Sequence, residues 1–446
     1  MTTSAPSLVG IGFGPANLSL AVTLRDRGYS GRMRFLERAD GFQWQRELLL
    51  TGTDIQNSPF RDLAMVEDPT SPHTFVNYLA SQGRLLEYLH LANKFPLRRE
   101  YAGYLEWVAQ SFSGLVDYSS PVSAIELRER NGYEQWRVHR DSGAPVDGDV
   151  LVIGTGRTPR VPAVFRRHLG ARVFHSSRYL STMNAIDGED LRVAVVGASQ
   201  SAIEIILGLL DDPRVRSVTS IQRGIGFRLK DTSPFSRRVF LPEFVDYFYP
   251  LPPETKRRLR AELRSINYAA CDADVIHTLA TKQYEYGLMG SDRFSLCNHS
   301  EVTAVEPGGE HDGVTMTLTD VNHRTVSSAE ADVVILATGF RDYGTGPDDE
   351  RCHPLLRDVV HRISRTEEGL PNVARDYSVP VLPRDRLRPP ALFMNGLCEP
   401  SHGMGDAGAL AMLSTRSIDI ADGLAQTSVT SDHVEEPGIL TLSRSS

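Results

Sequence analysis

The chain alternates short apolar runs with segments in which apolar residues recur every three or four positions. Short segments with the character of strands lie at residues 7–11, 33–36, 149–153, 191–196, 217–222 and 331–336. Short runs bounded by glycine or polar residues predict buried strands. Helical spacing is found over residues 74–91, 101–112 and 202–210. Strands that alternate with helices in this way predict an α/β protein with parallel sheets.

Glycines follow the first predicted strand directly. Gly10, Gly12 and Gly14 form the turn, and Pro15 opens the expected helix. The second strand ends at Glu37. Glycine lets the backbone turn tightly beside a pyrophosphate, a helix N-terminus attracts phosphate, and an acidic residue after the second strand accepts hydrogen bonds from a ribose. The turn therefore predicts a dinucleotide site.

A second turn of this kind follows a later strand. Gly197, Ser199, Gln200 and Ser201 lie where the next helix is expected to begin. A serine is small enough for close approach, and hydroxyl and amide groups at a helix N-terminus bind phosphate well. The following strand ends before Arg223, whose guanidinium either meets a ribose 2′-phosphate or is solvated at the surface. An α/β domain without a nucleotide is the alternative interpretation of this turn.

Composition narrows the class of protein. Hydrophobic residues make up 41% and charged residues 23% of the 446 positions, and the net charge of -8 gives no reason to expect nucleic acid. Because no apolar stretch reaches the roughly 18 residues of a membrane helix and no signal peptide is visible, we expect a cytoplasmic protein with no membrane partner.

The cysteines limit the chemistry. The four cysteines lie far apart with no Cys-x-x-Cys pair. We therefore expect no disulfide framework and no metal site. A flavin disulfide reductase would need a redox cysteine pair beside its flavin, so this alternative is disfavoured. A nucleotide-binding regulatory protein without turnover stays open.

The motifs and the segments between them resemble, in order, the N-hydroxylating flavin monooxygenases, which include microbial ornithine, lysine and aspartate N-monooxygenases. The matching segments are residues 10–18, 42–44, 56–63, 68–72, 75–79, 95–100, 195–202, 231–235, 242–247, 267–268, 337–340 and 402–403. Ordered matches over nearly the whole chain are much more specific than any single glycine turn.

The resemblance implies FAD and NADPH as cofactors and O2 as co-substrate. NADPH would reduce FAD, and a C4a-hydroperoxyflavin would transfer oxygen to a neutral amine. The resemblance assigns catalytic roles to Gln56 and Asn267, although a buried Gln56 amide satisfied by backbone is the alternative. It also implies a homo-oligomer, either a dimer or a tetramer. Besides the two turns, Glu37 and Arg223, the expected cofactor-binding residues are Trp44, Gln56, Thr338, Gly339, His402 and Gly403.

The predicted fold class is thus α/β, with two nested Rossmann-like dinucleotide-binding domains and a small, mainly helical substrate-binding region. The expected units are an FAD-binding domain over 1–165 and 326–425, an NADPH-binding domain over 166–230 and 275–325, a helical substrate-binding region over 231–274, and a tail over 426–446.

The expected substrate-binding residues depart from the ornithine-hydroxylating members. Those members hold the amino-acid head with a lysine and two asparagines. The corresponding positions here are Arg61, the segment containing Arg237 and Arg238, and Asn267. Since guanidinium groups pair with carboxylates, we expect an acidic substrate. The hypothesis is that the α-amine of L-aspartate is oxidised to N-hydroxyaspartate and then towards nitrososuccinate.

Two alternatives remain for these arginines. The enzyme would instead be an L-ornithine N5- or L-lysine N6-monooxygenase of siderophore biosynthesis, with Arg61 in place of the lysine. Arg237 and Arg238 would otherwise lie on a solvated helix face or hold the phosphate of NADPH.

Overall fold

The computed structural model describes residues 5–130, 132–308, 313–384, 387–406 and 409–429. The strands are Leu8–Ile11 (β1), Met33–Leu36 (β2), Val116–Asp117 (β3), Val122–Arg130 (β4), Tyr133–Arg140 (β5), Val146–Gly148 (β6), Val150–Ile153 (β7), Val173–His175 (β8), Leu191–Val196 (β9), Val215–Ile221 (β10), Phe294–Cys297 (β11), Ser300–Pro307 (β12), Val314–Asp320 (β13), Val326–Ala331 (β14), Val333–Leu336 (β15) and Ala391–Met394 (β16).

The α-helices are Pro15–Asp26 (α1), Phe75–Ser81 (α2), Leu85–Leu91 (α3), Arg98–Gln110 (α4), Tyr179–Asn184 (α5), Gln200–Leu210 (α6), Pro242–Phe248 (α7), Pro253–Glu262 (α8), Ala273–Leu288 (α9), Glu399–His402 (α10) and Leu413–Val429 (α11). Proline at the first position of a helix has no N–H to leave unsatisfied, which explains the starts of α1, α7 and α8. In the described part of the chain, no helix has both the length and the apolar character needed to cross a membrane.

Two five-stranded parallel sheets organise the chain. The first unit contains the sheet ordered β16-β7-β1-β2-β3, and the second unit contains the sheet ordered β11-β10-β9-β15-β8. Strands β1, β7 and β15 are buried along their whole length, as expected where helices or a further sheet cover both faces of a parallel sheet. Two antiparallel three-stranded sheets, β4-β5-β6 and β12-β13-β14, complete the β structure described. The prediction of two nested dinucleotide folds is confirmed.

The chain passes between the two units twice, and the two crossovers lie side by side. The backbone N–H of Arg160 donates to the carbonyl of Gly339 at 2.9 Å, and that of Arg341 donates to Thr158 at 2.8 Å. Pro159 and Phe340 form an antiparallel bridge between them. The second unit is therefore inserted between two parts of the first.

Sheet pairing corrects one expected boundary. Strand β15 lies between β9 and β8, and β14 pairs with β13, so residues 326–336 belong to the second unit and not to the first. Strand β11 follows the helical region and extends the second sheet beyond β10. Residues 426–429 continue α11, whereas the rest of the expected tail lies outside the described residues.

Candidate active site

The first glycine turn has the geometry of a phosphate site. Gly12 has a φ of +82°, and a Cβ there would lie 2.7 Å from the carbonyl oxygen of Gly154. Gly14 is the N-cap residue of α1 and has no side chain to occupy the helix end. A Cβ built on Gly14 would have no atom within 4 Å. Because the first N–H groups of a helix lack intrahelical partners, this open helix end fits an anion such as a pyrophosphate.

Glu37 lies beside this turn. Its Oε2 accepts a hydrogen bond from the N–H of Phe13 at 2.7 Å, and its Oε1 accepts one from Ala39 at 2.9 Å. A carboxylate has about four acceptor positions. The side chain is thus held in place with capacity left for the hydroxyls of a ribose.

The second turn is equally tight. Gly197 has a φ of +139°, and a Cβ there would lie 2.2 Å from the carbonyl oxygen of Ala337. Ser199 caps α6 without a side-chain hydrogen bond. The Gln200 side chain is already engaged, since it accepts from the N–H of Asp272 at 2.9 Å and donates to Glu204 at 3.0 Å. A phosphate at this turn would therefore meet backbone N–H groups and the serine hydroxyls.

A cleft of about 950 Å³ lies between the two units. It brings together most of the residues predicted for the second cofactor and the chemistry: Trp44, Gln56, Gly197, Ser199, Gln200, Ser201, Arg223, Arg237, Asn267, Thr338 and Gly339. Arg223 is at its rim with a side chain that is 75% exposed and 3.8 Å from Glu301. The described residues that line the cleft do not include the first glycine turn or Glu37.

Gln56 is the centre of a charged cluster in this cleft. Its Oε1 accepts from Nζ of Lys230 at 2.8 Å, and its Nε2 donates to the carboxylate of Asp272. Its backbone N–H donates to Asp54 at 2.8 Å, with φ at +55°. The amide is therefore satisfied by side chains and not by backbone. Burial lowers the pKa of Lys230 and raises that of Asp54.

A buried ion pair joins the two units behind this cluster. Arg98 on α4 binds Glu204 on α6 through two hydrogen bonds of 2.8 and 2.9 Å. Arg98 also donates to the carbonyls of Leu48 at 2.8 Å and Asp54 at 3.1 Å. Sequence reasoning missed this pair, because an arginine and a glutamate separated by 106 residues carry no local signal.

Asn267 lines the cleft with an unsatisfied donor. Its Nδ2 is buried and has no hydrogen-bond partner among the described residues. The neighbouring Tyr268 hydroxyl donates to Glu399 and accepts from Arg157 at 3.1 Å. Burial raises the pKa of Glu399 to about 7. Asn267 is thus held beside a buried polar network, with its amide donor unpaired among the described residues.

The three predicted arginines lie together on a smaller cavity beside the cleft, and only one of them also lines the cleft. Arg237 lines the cleft and also a neighbouring cavity of about 410 Å³, whereas Arg61 and Arg238 line only that smaller cavity. Arg61 donates to the carbonyl of Phe240 at 3.3 Å, and burial together with the charge of Arg237 lowers its pKa. Arg238 is exposed.

His402 and Gly403 lie away from the cleft lining. His402 is buried, hydrogen-bonds through Nε2 to the carbonyl of Arg375 at 3.1 Å, and stacks on Tyr377 with ring centres 4.1 Å apart. Burial lowers its pKa to about 4. A Cβ on Gly403 would lie 2.9 Å from the ring of Phe244. The contacts of both residues are therefore internal packing contacts.

The four cysteines are free thiols. Within the described ranges, no group of three or more histidine, cysteine, aspartate or glutamate side chains is placed to hold a metal ion.

Comparisons with known proteins identify the family. The model of the L-lysine 6-monooxygenase/L-ornithine 5-monooxygenase family matches residues 5–342. The chain is 34% identical over 418 residues to an L-ornithine N(5)-monooxygenase of Burkholderia cepacia, covering 89% of each chain.

Solved structures agree with this assignment. The ornithine hydroxylase of Pseudomonas aeruginosa has a TM-score of 0.83 at 30% identity, covering 94% of this chain and 99% of that one. An ornithine N-hydroxylase of Kutzneria sp. 744, solved with reduced FAD, NADP+ and L-ornithine, has a TM-score of 0.85 at 31% identity, covering 95% and 99%. These relatives favour ornithine, the alternative substrate, over aspartate. The chain belongs to the L-lysine 6-monooxygenase/L-ornithine 5-monooxygenase family and is a flavin-dependent N-hydroxylating monooxygenase.

Proposed function

We propose that the enzyme hydroxylates the side-chain amine of L-ornithine, with FAD, NADPH and O2. The observation that carries this proposal is the 34% identity to an ornithine N5-monooxygenase over 89% of both chains. The cleft between the two dinucleotide folds supports it, since an amine bound there would lie between the two expected cofactor sites.

The two turns divide the cofactors between them. Gly10, Gly12 and Gly14 with Pro15 would bind the pyrophosphate of FAD, and Glu37 would accept from its ribose. The turn at 197–201 would bind the phosphates of NADPH, and the exposed guanidinium of Arg223 would pair with the 2′-phosphate. Trp44, Thr338 and Gly339 would complete the cleft around the cofactors. When bound, the flavin supplies the reduction and activation of O2.

The protein must then bind and orient an amino acid. Asn267 and Arg237 both line the cleft, and an amide N–H and a guanidinium both suit the α-carboxylate of a substrate. Gln56 lies in the same cleft, with its amide fixed by Lys230 and Asp272. We propose that these groups orient the substrate so that its distal amine points towards the flavin.

The arrangement of the arginines gives less support to aspartate. Two carboxylates on one small substrate need two cationic anchors close together in the cleft. Arg61 and Arg238 lie on the smaller cavity, and Arg238 is exposed. One α-carboxylate, as in ornithine, needs only one such anchor.

The test is an amine panel of ornithine, lysine, cadaverine and aspartate. NADPH oxidation and hydroxylamine product are measured separately, because oxidation without product reports only an uncoupled flavin. Ornithine should give product close to one equivalent per NADPH. Product from aspartate alone would refute the substrate assignment, and protein that cannot be loaded with FAD would refute the enzyme assignment.

A substitution pair tests the proposed carboxylate contact. Asn267→Ala should raise KM for ornithine by about tenfold or more, the cost of about 1.5–3 kcal/mol for a hydrogen bond to a charged group. The matched control is Asn298→Ala, at an exposed asparagine outside the cleft. Equal effects of both substitutions would remove Asn267 from the substrate site.

A further inference from the structure

Lys230 places an amino group in the cleft that the proposed function does not yet use. It follows β10 on a loop fixed by the hydrogen bond from its own N–H to the carbonyl of Cys271 at 2.8 Å. The side chain lines the cleft, and Nζ donates to Oε1 of Gln56 at 2.8 Å. The hydrogen-bond partner of Nζ is thus a neutral amide and not a carboxylate.

Four titratable or charged groups act on the amino group of Lys230. Asp272 and Asp54 favour its charged form, as would a thiolate at Cys271, whereas the nearby Arg237 disfavours it. Burial outweighs these effects and lowers the pKa of Lys230 below its usual value. A larger fraction of this amine is therefore neutral near pH 8 than for a solvated lysine.

The reaction needs a group of this kind. An alkyl ammonium has a pKa of about 10.4 in water, so a diamino acid arrives at neutral pH with its distal nitrogen protonated. A protonated nitrogen has no lone pair with which to form an N–O bond. Some group in the cleft must take up this proton before oxygen transfer.

We propose that Lys230 is the general base that takes the proton from the substrate ammonium, an inference that rests on the proposed N-hydroxylation. One N–H bond of the ammonium breaks, the proton binds to Nζ, and the substrate nitrogen keeps the electron pair. Gln56 orients Nζ through the 2.8 Å hydrogen bond. The amine is then neutral when it meets the activated oxygen.

The protons of the complete reaction balance. One oxygen atom of O2 enters the N–OH group, and the other is reduced to water with the two electrons of NADPH. Forming that water from a neutral amine consumes one proton from outside the substrate. The proton stored on Lys230 supplies it, so Nζ returns to its neutral form and the ammonium, O2 and NADPH together yield hydroxylamine, water and NADP+.

Two substitutions separate a base from a fixed positive charge. Lys230→Met removes both functions, whereas Lys230→Arg keeps the charge but cannot be deprotonated. The rate of hydroxylamine formation is measured from pH 6.5 to 10. Both variants should lose at least tenfold in kcat/KM at pH 7 and regain most of it near pH 10, where the substrate deprotonates in water.

The matched control is Lys256→Met. Lys256 is another lysine whose pKa burial lowers, but it lies against Phe248 and Tyr249 outside the cleft. Its pH profile should equal that of the wild type. A Lys230→Arg variant with a wild-type profile, or a Lys230→Met variant whose loss is independent of pH, would overturn the proposal.

A second measurement does not depend on turnover. Competitive acetylation of the protein across the pH range, followed by peptide mass spectrometry, gives the pKa of individual lysines. Lys230 should titrate below Lys282, whose pKa is raised by its hydrogen bond to Asp211. A Lys230 pKa equal to or above that of Lys282 would refute the proposal that Lys230 is the general base.

The outcomes also separate the two proposals. If the wild type hydroxylates lysine or another amine and not ornithine, the ornithine assignment fails, and the Lys230 profiles are measured with that amine. If the wild type forms hydroxyornithine coupled to NADPH oxidation and the pH profiles of the Lys230 variants equal that of the wild type, the proposal that Lys230 is the base fails. The substrate assignment then stands.

Discussion

The ion pair of Arg98 and Glu204 provides the sharpest test of how the two units are held together. The side chains are 10% and 3% exposed, and two hydrogen bonds join them. Glu204→Ala leaves the guanidinium of Arg98 buried without its counter-charge. Gln200, which donates to the same carboxylate at 3.0 Å, also loses its acceptor.

The expected cost follows from these contacts. Removing one partner of a buried pair typically costs about 3–5 kcal/mol. Arg98 keeps its hydrogen bonds to the carbonyls of Leu48 and Asp54, so the lower end, about 3 kcal/mol, applies here. The double variant Arg98→Met with Glu204→Leu removes both charges and should recover at least about 1 kcal/mol of this loss.

Native-state hydrogen exchange is the appropriate assay, because a chain with two units need not unfold in one step. A loss of about 3 kcal/mol lowers the protection of the slowest α6 amides by roughly a hundredfold. The control, Glu285→Ala at an exposed position of α9, should change protection by less than about 0.5 kcal/mol. A loss below about 1 kcal/mol in Glu204→Ala, or a double variant less stable than this single one, would refute the reasoning.

Three further predictions concern the cofactor sites and pH. Gly197→Ala should raise KM for NADPH at least tenfold with FAD retained, since its Cβ would lie 2.2 Å from the Ala337 oxygen, whereas Gly224→Ala, with nothing within 4 Å, should be nearly neutral. Arg223→Gln should raise KM for NADPH by about 10- to 100-fold and leave KM for NADH unchanged, as steady-state kinetics with both nucleotides will show. Burial lowers the pKa of His402 from 6.5 to about 4 in the folded protein. As pH falls, the His402 imidazole is therefore protonated in the unfolded chain at a higher pH than in the folded one. The contribution of His402 to stability should fall by about 3 kcal/mol as pH decreases from about 6.5 to 4, and His402→Gln should make this part of a urea-midpoint profile less steep.

The sequence predicts those parts of the fold that depend on local pattern. Strands β1, β9 and β15 are rich in apolar residues, and Gly12 and Gly197 adopt the positive φ that the turns require. The boundary at residue 326 was wrong because an apolar strand signals its burial but not its partner. Only the pairing of β15 with β9 shows which sheet it joins. Strand β11 was not predicted, because a segment of four residues gives little signal.

The candidate site was predictable where a motif carries the chemistry and not where the tertiary fold does. Gln56 and Asn267 came from the family resemblance, and both line the cleft. The sequence carries no signal for Lys230, because its contact with Gln56 joins positions 174 residues apart. The charges of Arg61 and Arg238 were visible in the sequence, but their location on the smaller cavity was not.

The paired crossovers give the second unit the connectivity of a cassette. Pro159 and Phe340 face each other in an antiparallel bridge, where Cα atoms are about 5 Å apart. A gap of that size can be closed by one or two residues, so residues 160–339 can be excised and the first unit resealed without stretching its chain. The same proximity lets the cassette be exchanged for that of a relative with two short junctions. Such an exchange would move the turn at 197–201 together with the cleft residues Arg237 and Asn267, whereas the first glycine turn and Gln56 would stay with the first unit.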